Sequence, residues 1–300
     1  MKPVVKITLT DDNGIKFFGE GPCQLLRLVE TTGSLRSAAI KMEMAYSKAT
    51  KILKQAELTL GYPLTTRNAG GKDGGGSILT PEGKQFLRQY EAYRDACVKE
   101  NQALYRKFFP KLGCVIMASG MGKRFGGNKL MADFCGKPMI QRALDATGGL
   151  FFRRVVVTRH ESVAELCHRQ NVDVILHDLP HRSDTVRLGL EALGDLDACL
   201  FLPGDQPLLR RETVAMLLEN RKENPASIIR PAFEETEGSP VLFPAWAFAE
   251  LKNLPEGKGG GVVVQRHIHE VYRVPISNPF ELADVDTPEM LTMLEGFCHD

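Results

Sequence analysis

The sequence predicts an α/β protein of two domains: a winged helix-turn-helix over residues 1–110 and a doubly wound, Rossmann-like domain over residues 111–300. Three observations predict this. The chain has 300 residues, which is more than one hydrophobic core usually serves. Its first part contains two short helical patterns, a glycine-rich hairpin and a long helical pattern, in that order. Its second part alternates apolar, strand-like runs with helical stretches.

The charge of the chain is divided unevenly between these two parts. Residues 1–110 hold 17 Lys and Arg against 11 Asp and Glu, a net charge of +6, whereas residues 111–300 hold 21 against 26, a net charge of −5. Opposite charges favour different partners for the two domains. No segment is apolar enough to cross a bilayer and the N-terminus lacks a signal-peptide core, so we expect a cytoplasmic protein without a membrane partner.

The seven cysteines predict neither a disulfide nor a zinc site. No two of them form a Cys-x-x-Cys pair, and several lie inside apolar runs. We therefore expect reduced thiols that pack as small hydrophobic side chains. They are Cys23, Cys97, Cys114, Cys135, Cys167, Cys199 and Cys298.

The helix-turn-helix follows an extended opening segment and an apolar helix that carries Leu25 and Val29. Ser34 is suited to cap the next helix, since its hydroxyl can accept a hydrogen bond from a free backbone amide. A second helix is expected from about Tyr46 to Leu60, with Gly61 after its end. Its apolar residues share one face. The opposite face is polar and cationic, and carries Ser47, Lys48, Lys51 and Lys54.

A hairpin and a long helix complete this domain. Two short strand-like runs, residues 63–67 and 77–80, flank a glycine-rich loop, so Arg67 and Lys72 are expected on a wing that follows a phosphate backbone. Pro81 occupies the favoured first position of a helix that extends to Phe108. Apolar residues recur along this helix at roughly heptad intervals, which indicates that it can pair with a second copy and form a homodimer.

The run GSLRSAAIKMEMAYSKATKILKQAE, followed by RNAGGKDGGGSILTPEG, resembles the N-terminal domain of molybdate-responsive, LysR-related transcriptional regulators over about residues 20–108. The resemblance implies that the helix with Ser47, Lys48 and Lys51 enters the major groove of duplex DNA and that the long helix dimerises. Those regulators end in a molybdate-binding domain. This chain continues differently, so molybdate sensing is not implied.

The second domain opens with Leu112–Ala118, a nearly continuous apolar run that predicts a buried parallel strand. Further strands are expected at residues 154–158, 172–177, 198–203, 227–230 and 271–276, with helices at 163–170, 185–193 and 212–220. Ligands of such sheets bind at the carboxyl ends of the strands.

A glycine-rich loop comes directly after that first strand. Glycines let backbone N–H groups approach an anion, so Ala118, Ser119, Gly120 and Gly122 are candidate nucleotide-binding residues. Arg124 and Lys129, which follow in the same loop, are candidate catalytic residues that would neutralise phosphate charge, and Lys129 would also bind the nucleotide. The loop is neither a P-loop, because Gly-Lys-Ser/Thr is missing, nor the dinucleotide motif Gly-x-Gly-x-x-Gly.

Two acidic segments lie where they could complete a site. Asp205 follows the strand CLFLP, while Asp284 and Asp286 alternate in the segment ADVDTPE. Alone, Asp205 could be a turn residue and Asp286 a helix cap; their order after the glycine loop favours catalysis. Because Mg²⁺ prefers carboxylate oxygens together with substrate phosphates, we expect Asp205 to bind it with Asp286 or Asp284.

The signature Gly-x-x-x-Arg-x-Gly-x-x-Lys, with Gly-Lys-Pro-Met after it, is similar to that of molybdenum cofactor cytidylyltransferases, and the resemblance covers about residues 112–292. The run SDTVRLGL matches that family's nucleotide-proximal helix, which places Ser183 and Asp184 near the nucleotide. Two departures are visible: Ser239 stands where the family usually has histidine, and EGKGG lacks its usual aspartate. The start Ala118-Ser119-Gly120 favours CTP over GTP.

The resemblance implies that the terminal phosphate of molybdopterin attacks the α-phosphate of CTP and displaces pyrophosphate. Such a reaction depends on positioning the two substrates and on neutralising their phosphate charge. It needs no strong general base, because the attacking phosphate is already ionised. Three alternatives stay open. The second domain could be a guanylyl or sugar-phosphate nucleotidyltransferase, it could sense cofactor or nucleotide within a transcription factor, or the first domain could serve only for dimerisation.

Overall fold

The computed structural model describes residues 3–68 and 76–298. The chain forms two compact units, Met1–Phe108 and Phe109–Asp300. Lys72, predicted on the wing, lies outside the described residues. The first unit consists of β1 (Leu9–Thr10), β2 (Lys16–Phe18), α1 (Glu20–Thr32), α2 (Leu35–Lys41), α3 (Tyr46–Leu60), β3 (Thr65–Asn68), β4 (Gly76–Leu79) and α4 (Pro81–Phe108).

Local signals explain where the helices of the first unit begin and end. The Ser34 hydroxyl accepts a hydrogen bond from the Ser37 amide at 3.3 Å and so caps α2. Gly33 and Gly61 adopt φ values of 66° and 78° after α1 and α3, a conformation that glycine tolerates best. The predicted α3, the start of α4 at Pro81 and the antiparallel hairpin of β3 and β4 are confirmed.

The core of the first unit lies among α1, α2, α3 and the first turns of α4. Leu25, Leu26 and Val29 of α1 are fully buried there, with Leu87 of α4. Gly83 permits this packing, because a Cβ at that position would lie 2.2 Å from the Leu64 carbonyl oxygen. The fold of these elements agrees with the helix-helix-hairpin-helix order expected from the sequence. Its winged-helix function stays a prediction.

The second unit is larger and contains a central sheet. Its strands are β5 (Leu112–Ala118), β6 (Asp133–Phe134), β7 (Lys137–Pro138), β8 (Arg153–Thr158), β9 (Asp173–Leu176), β10 (Ala198–Pro203), β11 (Ile228–Phe233), β12 (Thr236–Glu237), β13 (Val241–Pro244) and β14 (Val271–Pro275). Its helices are α5 (Met139–Thr147), α6 (Glu161–Arg169), α7 (Arg182–Leu193), α8 (Arg211–Glu223), α9 (Phe248–Lys252), α10 (Gly261–Arg266) and α11 (Pro288–Glu295).

The sheet has eight strands in the order β12-β11-β13-β10-β5-β8-β9, with β14 beside β11. The β9-β8-β5-β10 half is parallel, as predicted, and its central strands are buried on both faces. The sheet is nevertheless mixed, because β13 runs antiparallel to β10 and to β11 and β12 runs antiparallel to β11, whereas β14 runs parallel to β11. The expectation of a doubly wound parallel sheet is therefore wrong for β12 and β13, two strands that the sequence did not predict. The connection from β11 to β12 is too short for a parallel crossover, so the chain turns back there, and β12 and β13 both run antiparallel to β11.

The prediction that all seven cysteines are reduced thiols is wrong for one pair. Cys135 and Cys298 form a disulfide across 163 residues of sequence. Packing of α11 and the β6–β7 turn in one apolar cluster brings them together, which their spacing in the sequence does not indicate. The other five cysteines are free, and Cys23, Cys114, Cys167 and Cys199 are buried. In the described part of the chain, no helix combines the length and apolar character needed to cross a membrane.

Candidate active site

A cleft of about 420 Å³ opens at the carboxyl ends of β5, β8 and β10. This is the edge of the parallel half at which ligands were expected. Predicted and unpredicted residues line it together. They include Ser119, Gly120, Met121, Arg124, Arg159, His181, Arg182, Thr185, Asp205, Ser239, Asp284 and Asp286.

The glycine-rich loop presents free backbone donors to this cleft. Within the described residues, the amides of Ser119, Gly120, Met121 and Gly122 donate no hydrogen bond. The loop holds its shape because the Gly122 carbonyl accepts from the amides of Phe125 and Gly126, each at 3.0 Å. Gly122 has a φ of 58°, and a Cβ there would lie 2.1 Å from the Gly127 carbonyl oxygen. Such a run of free amides is the arrangement that binds phosphate oxygens.

Two histidines hold the start of this loop. The Ser119 hydroxyl donates to the Val157 carbonyl at 3.0 Å and lies 2.8 Å from Nε2 of His177. Nε2 of His160 lies 2.8 Å from the Gly120 carbonyl. Burial, and then the charge of Arg159, lower the pKa of His177. The hydroxyl of Ser119 is therefore used within the protein, which leaves its backbone amide for a ligand.

Lys129 lies beneath the loop and joins the acidic segments. Its ammonium is 2.6 Å from Asp205 Oδ2 and 3.1 Å from Asp286 Oδ1, and it donates to the Val285 carbonyl at 2.7 Å. Only 8% of the residue is exposed. Burial opposes the charged form, yet the ion pairs with Asp205 and Asp286 outweigh it and raise the pKa of Lys129. The ammonium is therefore permanently charged in the physiological range.

Arg124 completes this set of charges from the solvent side. Its guanidinium lies 2.8 Å from Asp286 Oδ2, and its side chain is 74% exposed. An exposed ion pair contributes little stability and is readily exchanged for another anion. Arg124 can therefore turn towards a phosphate group without a large energetic cost.

Asp284 is the remaining carboxylate of the cleft. Desolvation, followed by the neighbouring charge of Asp205, raises its pKa to about 6, with a partial offset from Gln206 and Lys129. The residue is nevertheless exposed to solvent at the cleft. Asp284 thus lies where excess negative charge accumulates, and a bound cation would relieve this repulsion.

The acidic residues fit a divalent cation only in combination with a substrate. Across residues 3–68 and 76–298, no group of three or more His, Cys, Asp or Glu side chains forms a complete metal site. Asp205 and Asp286 instead share the Lys129 ammonium, and Asp284 lies beside them. Two carboxylates with substrate phosphates supply the oxygen ligands that Mg²⁺ prefers, since this ion keeps several non-protein ligands.

The structure does not bring every predicted residue to the cleft. Asp184 accepts from the His181 amide at 3.1 Å and pairs with Arg187 at 3.2 Å, so its carboxylate is engaged in capping α7. Ser183 and Asp184 are absent from the residues that line the cleft, whereas His181, Arg182 and Thr185 from the same segment do line it. Gly122 and Lys129 are also absent from that lining, although Lys129 pairs with Asp205 and Asp286, and Ala118 is buried at the end of β5.

Sequence reasoning missed Arg159, which lines the cleft, and the two histidines that contact the glycine loop. Arg159 and His160 directly follow β8, and His177 directly follows β9. Their positions at strand carboxyl ends were a usable signal, because the glycine loop and Asp205 were found by the same rule. Arg159 donates to the Leu179 carbonyl at 2.9 Å, which holds its guanidinium at the cleft.

The predicted DNA-contacting residues of the first unit that the structure describes are all exposed. Ser47, Lys48 and Lys51 are exposed on α3, and Arg67 is exposed on β3. A separate cleft of about 630 Å³ is lined by Lys16, Lys48 and Lys51 together with residues at the start of α1. Lys16 thus joins two of the predicted lysines.

Comparison with known proteins gives a family match in the second unit. The profile of the family described as MobA-like NTP transferase domain matches residues 114–271. The probable molybdenum cofactor guanylyltransferase of Aquifex aeolicus is 30% identical over 118 residues, which are 39% of this chain and 57% of that protein. The 3-deoxy-manno-octulosonate cytidylyltransferase of Trichlorobacter lovleyi is 32% identical over 114 residues, which are 37% of this chain and 45% of that protein. The chain thus spans about half the length of these relatives.

Among solved structures, Rv0371c from Mycobacterium tuberculosis has the same fold as the second unit. The TM-score is 0.56 at 20% identity, over 62% of this chain and 98% of that one. The same mycobacterial protein has also been solved as a complex with manganese. These comparisons cover the α/β unit that contains the cleft.

Proposed function

Because this chain belongs to the MobA-like NTP transferase domain family, we propose that it transfers a nucleotidyl group from a nucleoside triphosphate to a phosphate-bearing acceptor, with release of pyrophosphate. One observation carries the proposal. The buried Lys129 ammonium binds Asp205 and Asp286 beneath a loop whose amides are free to bind phosphates. This arrangement combines fixed positive charge, free donors and carboxylates at one edge of the sheet.

The chemistry requires little proton transfer. An acceptor phosphate oxygen forms a bond to the α-phosphorus, and the bond from that phosphorus to the bridging oxygen breaks in line. The electron pair leaves with pyrophosphate. The amides of Ser119–Gly122 would bind the triphosphate. Lys129, which pairs with two carboxylates of the cleft, would neutralise it from within the protein, and Arg124 would leave Asp286 to do so from the solvent side.

A divalent cation is part of the proposal, with Mg²⁺ as the expected ion. Asp205 would hold it together with Asp284 or Asp286, and it would supply further neutralisation of phosphate charge. The three carboxylates near one lysine support this assignment, since they leave negative charge in the cleft. The manganese complex of the mycobacterial protein agrees with it.

The substrates we propose are CTP and molybdopterin cofactor. The Aquifex relative is described as acting on molybdenum cofactor with a guanylyl group, while the Trichlorobacter relative is described as a cytidylyltransferase. The loop start Ala118-Ser119-Gly120 supports CTP, and the molybdenum cofactor relative supports the acceptor. GTP and a sugar acid or sugar phosphate are the competing substrates.

The test is pyrophosphate release by the full chain with ATP, CTP, GTP or UTP, each with molybdopterin cofactor or 3-deoxy-manno-octulosonate as acceptor. We expect molybdopterin to support turnover and CTP to exceed GTP by at least about tenfold in specificity constant, which requires only ~1.4 kcal/mol of differential binding. Equal or reversed preference would refute the choice of CTP. Turnover with the sugar acid alone would refute the choice of acceptor.

A second function is proposed for the first unit, namely binding of duplex DNA as a homodimer. The specific observation is the exposed cationic face of α3, where Lys48 and Lys51 share a cleft with Lys16. Exposed apolar residues on α4, including Tyr93 and Leu104, each 55% exposed, support the pairing of two copies. This unit would then regulate transcription, whereas the second unit performs catalysis.

A further inference from the structure

We propose that His177 is a positioning residue for the nucleotide. Its Nε2–H fixes the Ser119 hydroxyl and thereby the start of the phosphate-binding loop, and a second proton, on the buried Nδ1, destabilises the ring in this position. The inference rests on the proposed function, since it concerns the same loop. It assigns to His177 a role that neither the loop sequence nor the carboxylates imply.

The hydrogen bonds around Ser119 determine which ring nitrogen carries the proton. A serine hydroxyl has one hydrogen, and Ser119 donates it to the Val157 carbonyl at 3.0 Å. The contact of 2.8 Å between Ser119 Oγ and His177 Nε2 must therefore be donated by the histidine. His177 is then the Nε2–H tautomer, and Ser119 is held between β8 and the residue that follows β9.

The other ring nitrogen explains why protonation is unfavourable. Nδ1 of His177 is buried and has no hydrogen-bond partner among the described residues. A second proton would create a buried N–H without an acceptor, which costs more than a solvated one. Charged groups face the ring from three places: Arg159 after β8, Asp178 in the same loop and Asp184 in α7. Burial and Arg159 disfavour the cation, and the two carboxylates offset only part of this, so the pKa of His177 is lowered.

His160, which follows β8, is the second histidine that contacts the glycine-rich loop. Its Nε2 lies 2.8 Å from the Gly120 carbonyl, which can only accept, so His160 also donates through Nε2. His177 differs from it in its second ring nitrogen, which is buried without a partner among the described residues, so a second proton disfavours the position in which the ring contacts Ser119.

The experiment measures binding of a fluorescent CTP analogue to the full chain without acceptor, at about pH 7.5 and about pH 5.5. Wild-type affinity is expected to fall about fivefold to tenfold more between these pH values than that of His177→Gln. The glutamine variant keeps a donor near the position of Nε2 and cannot be protonated. His177→Ala should bind weakly at both pH values, whereas the exposed His269→Gln should follow the wild type.

Two further measurements separate positioning from a merely structural role. His177→Ala should raise the KM for the nucleotide about tenfold while kcat at saturation changes by less than about twofold. Ser119→Ala, which removes the acceptor and leaves the histidine, should weaken binding similarly, and the double variant should be no weaker than either single variant. Melting temperatures identify any variant that fails to fold.

The outcomes distinguish this inference from the proposed function. Suppose that the wild type binds the nucleotide and releases pyrophosphate, and that His177→Ala and His177→Gln have the same affinity and the same pH dependence as the wild type. The positioning role of His177 is then refuted, while the proposed function stands. Additive losses in the double variant would also refute it. If wild type neither binds nucleotide nor releases pyrophosphate, both proposals fail together.

Discussion

Lys129 illustrates how single residues set the chemistry of the cleft. Its ammonium is almost fully buried, which would be costly without the two carboxylates that surround it. The sequence located Lys129, Asp205 and Asp286 individually. It did not show that they bind one another, because that contact depends on how β10 and the segment before α11 meet in space.

Replacement of this residue gives the first prediction at the residue scale. Lys129→Ala is expected to lower pyrophosphate release by roughly a hundredfold, as for a lost preorganised charge of ~2.7 kcal/mol. The matched control is Lys222→Ala, which removes an exposed lysine paired with Glu219. Steady-state kinetics at saturating nucleotide measures the effect, and melting curves verify folding. Near-normal turnover of a folded Lys129→Ala protein would contradict the site assignment.

Asp284 gives a prediction about pH. Its folded pKa of about 6 lies above the ordinary value of 3.8, so the folded state binds the proton more tightly than the unfolded state. Asp284 therefore stabilises the protein at low pH, and this contribution is lost as the pH rises through about 6. Asp284→Asn should consequently melt at a higher temperature than wild type at about pH 8, by a modest amount because the side chain keeps solvent contact.

The comparison needs a metal-free buffer, since a bound cation would itself stabilise the carboxylate. The gain of Asp284→Asn should shrink as the pH falls from 6 towards 3.8, where wild type becomes protonated as well. Differential scanning calorimetry with a chelator present checks this. A gain that is independent of pH would show that repulsion among the carboxylates is not its cause.

At the scale of elements, local signals in the sequence predicted more than did long-range ones. Ser34, Gly61 and Pro81 mark helix ends through capping and backbone conformation, and the structure confirms them. The alternating carboxylates of ADVDTPE were recognised from the sequence pattern, but the pattern did not show which residues lie next to them in space. For α7, the pattern did not show that the Asp184 carboxylate is used to cap its own helix.

The C-terminal helix α11 carries the third prediction. The Cys135–Cys298 disulfide links the end of this helix to the β6–β7 turn and so stabilises the segment that holds Asp284 and Asp286. Cys298→Ser should lower the melting temperature of the second unit, since a closed loop of this length restricts the unfolded chain by up to about 5 kcal/mol.

Reducing agent is the complementary treatment. It should lower the melting temperature of wild type and leave Cys298→Ser unchanged, while Cys97→Ser, which removes a free thiol, should respond like wild type. Calorimetry with and without a reductant measures both. An equal response of wild type and Cys298→Ser to reductant would indicate that the bond does not form in solution.

At the scale of the whole molecule, the net charge of each part of the chain agrees with the partner proposed for it: the cationic part with DNA, and the anionic part with a cation-dependent reaction. The cationic first part and the anionic second part were visible in the sequence, as were the helix order and the parallel strands. The antiparallel strands β12 and β13 were not predicted, because such short strands leave no strong periodic signal. Arg159 and the two histidines beside the glycine loop were missed because isolated residues after strands form no motif.

DNA binding gives the prediction at this scale. The intact protein should bind promoter DNA of molybdenum-enzyme genes, and its affinity should fall at least about tenfold between about 50 and about 200 mM salt as counterions are released. Lys48→Ala combined with Lys51→Ala should weaken binding without altering nucleotidyl transfer. Lys84→Ala with Lys99→Ala makes the same change in charge on α4 and should have a smaller effect.

Fluorescence anisotropy with specific and random duplexes measures both affinity and selectivity. Selectivity distinguishes base contacts of α3 from attraction to phosphates alone, which is independent of sequence. If specific and random duplexes bind equally weakly, the first unit has no regulatory DNA site. It would then serve for assembly only.

The Cys135–Cys298 bond also has a topological consequence. It closes the polypeptide into a covalent ring that contains every strand from β7 to β14, while the central strand β5 lies outside the ring. A single cleavage of the backbone anywhere within the ring opens it without separating the two fragments. The carboxylates Asp205, Asp284 and Asp286 would therefore stay covalently connected to one another after such a nick, whereas the chain before Cys135, with β5 and its loop, is joined to them by a single stretch of polypeptide.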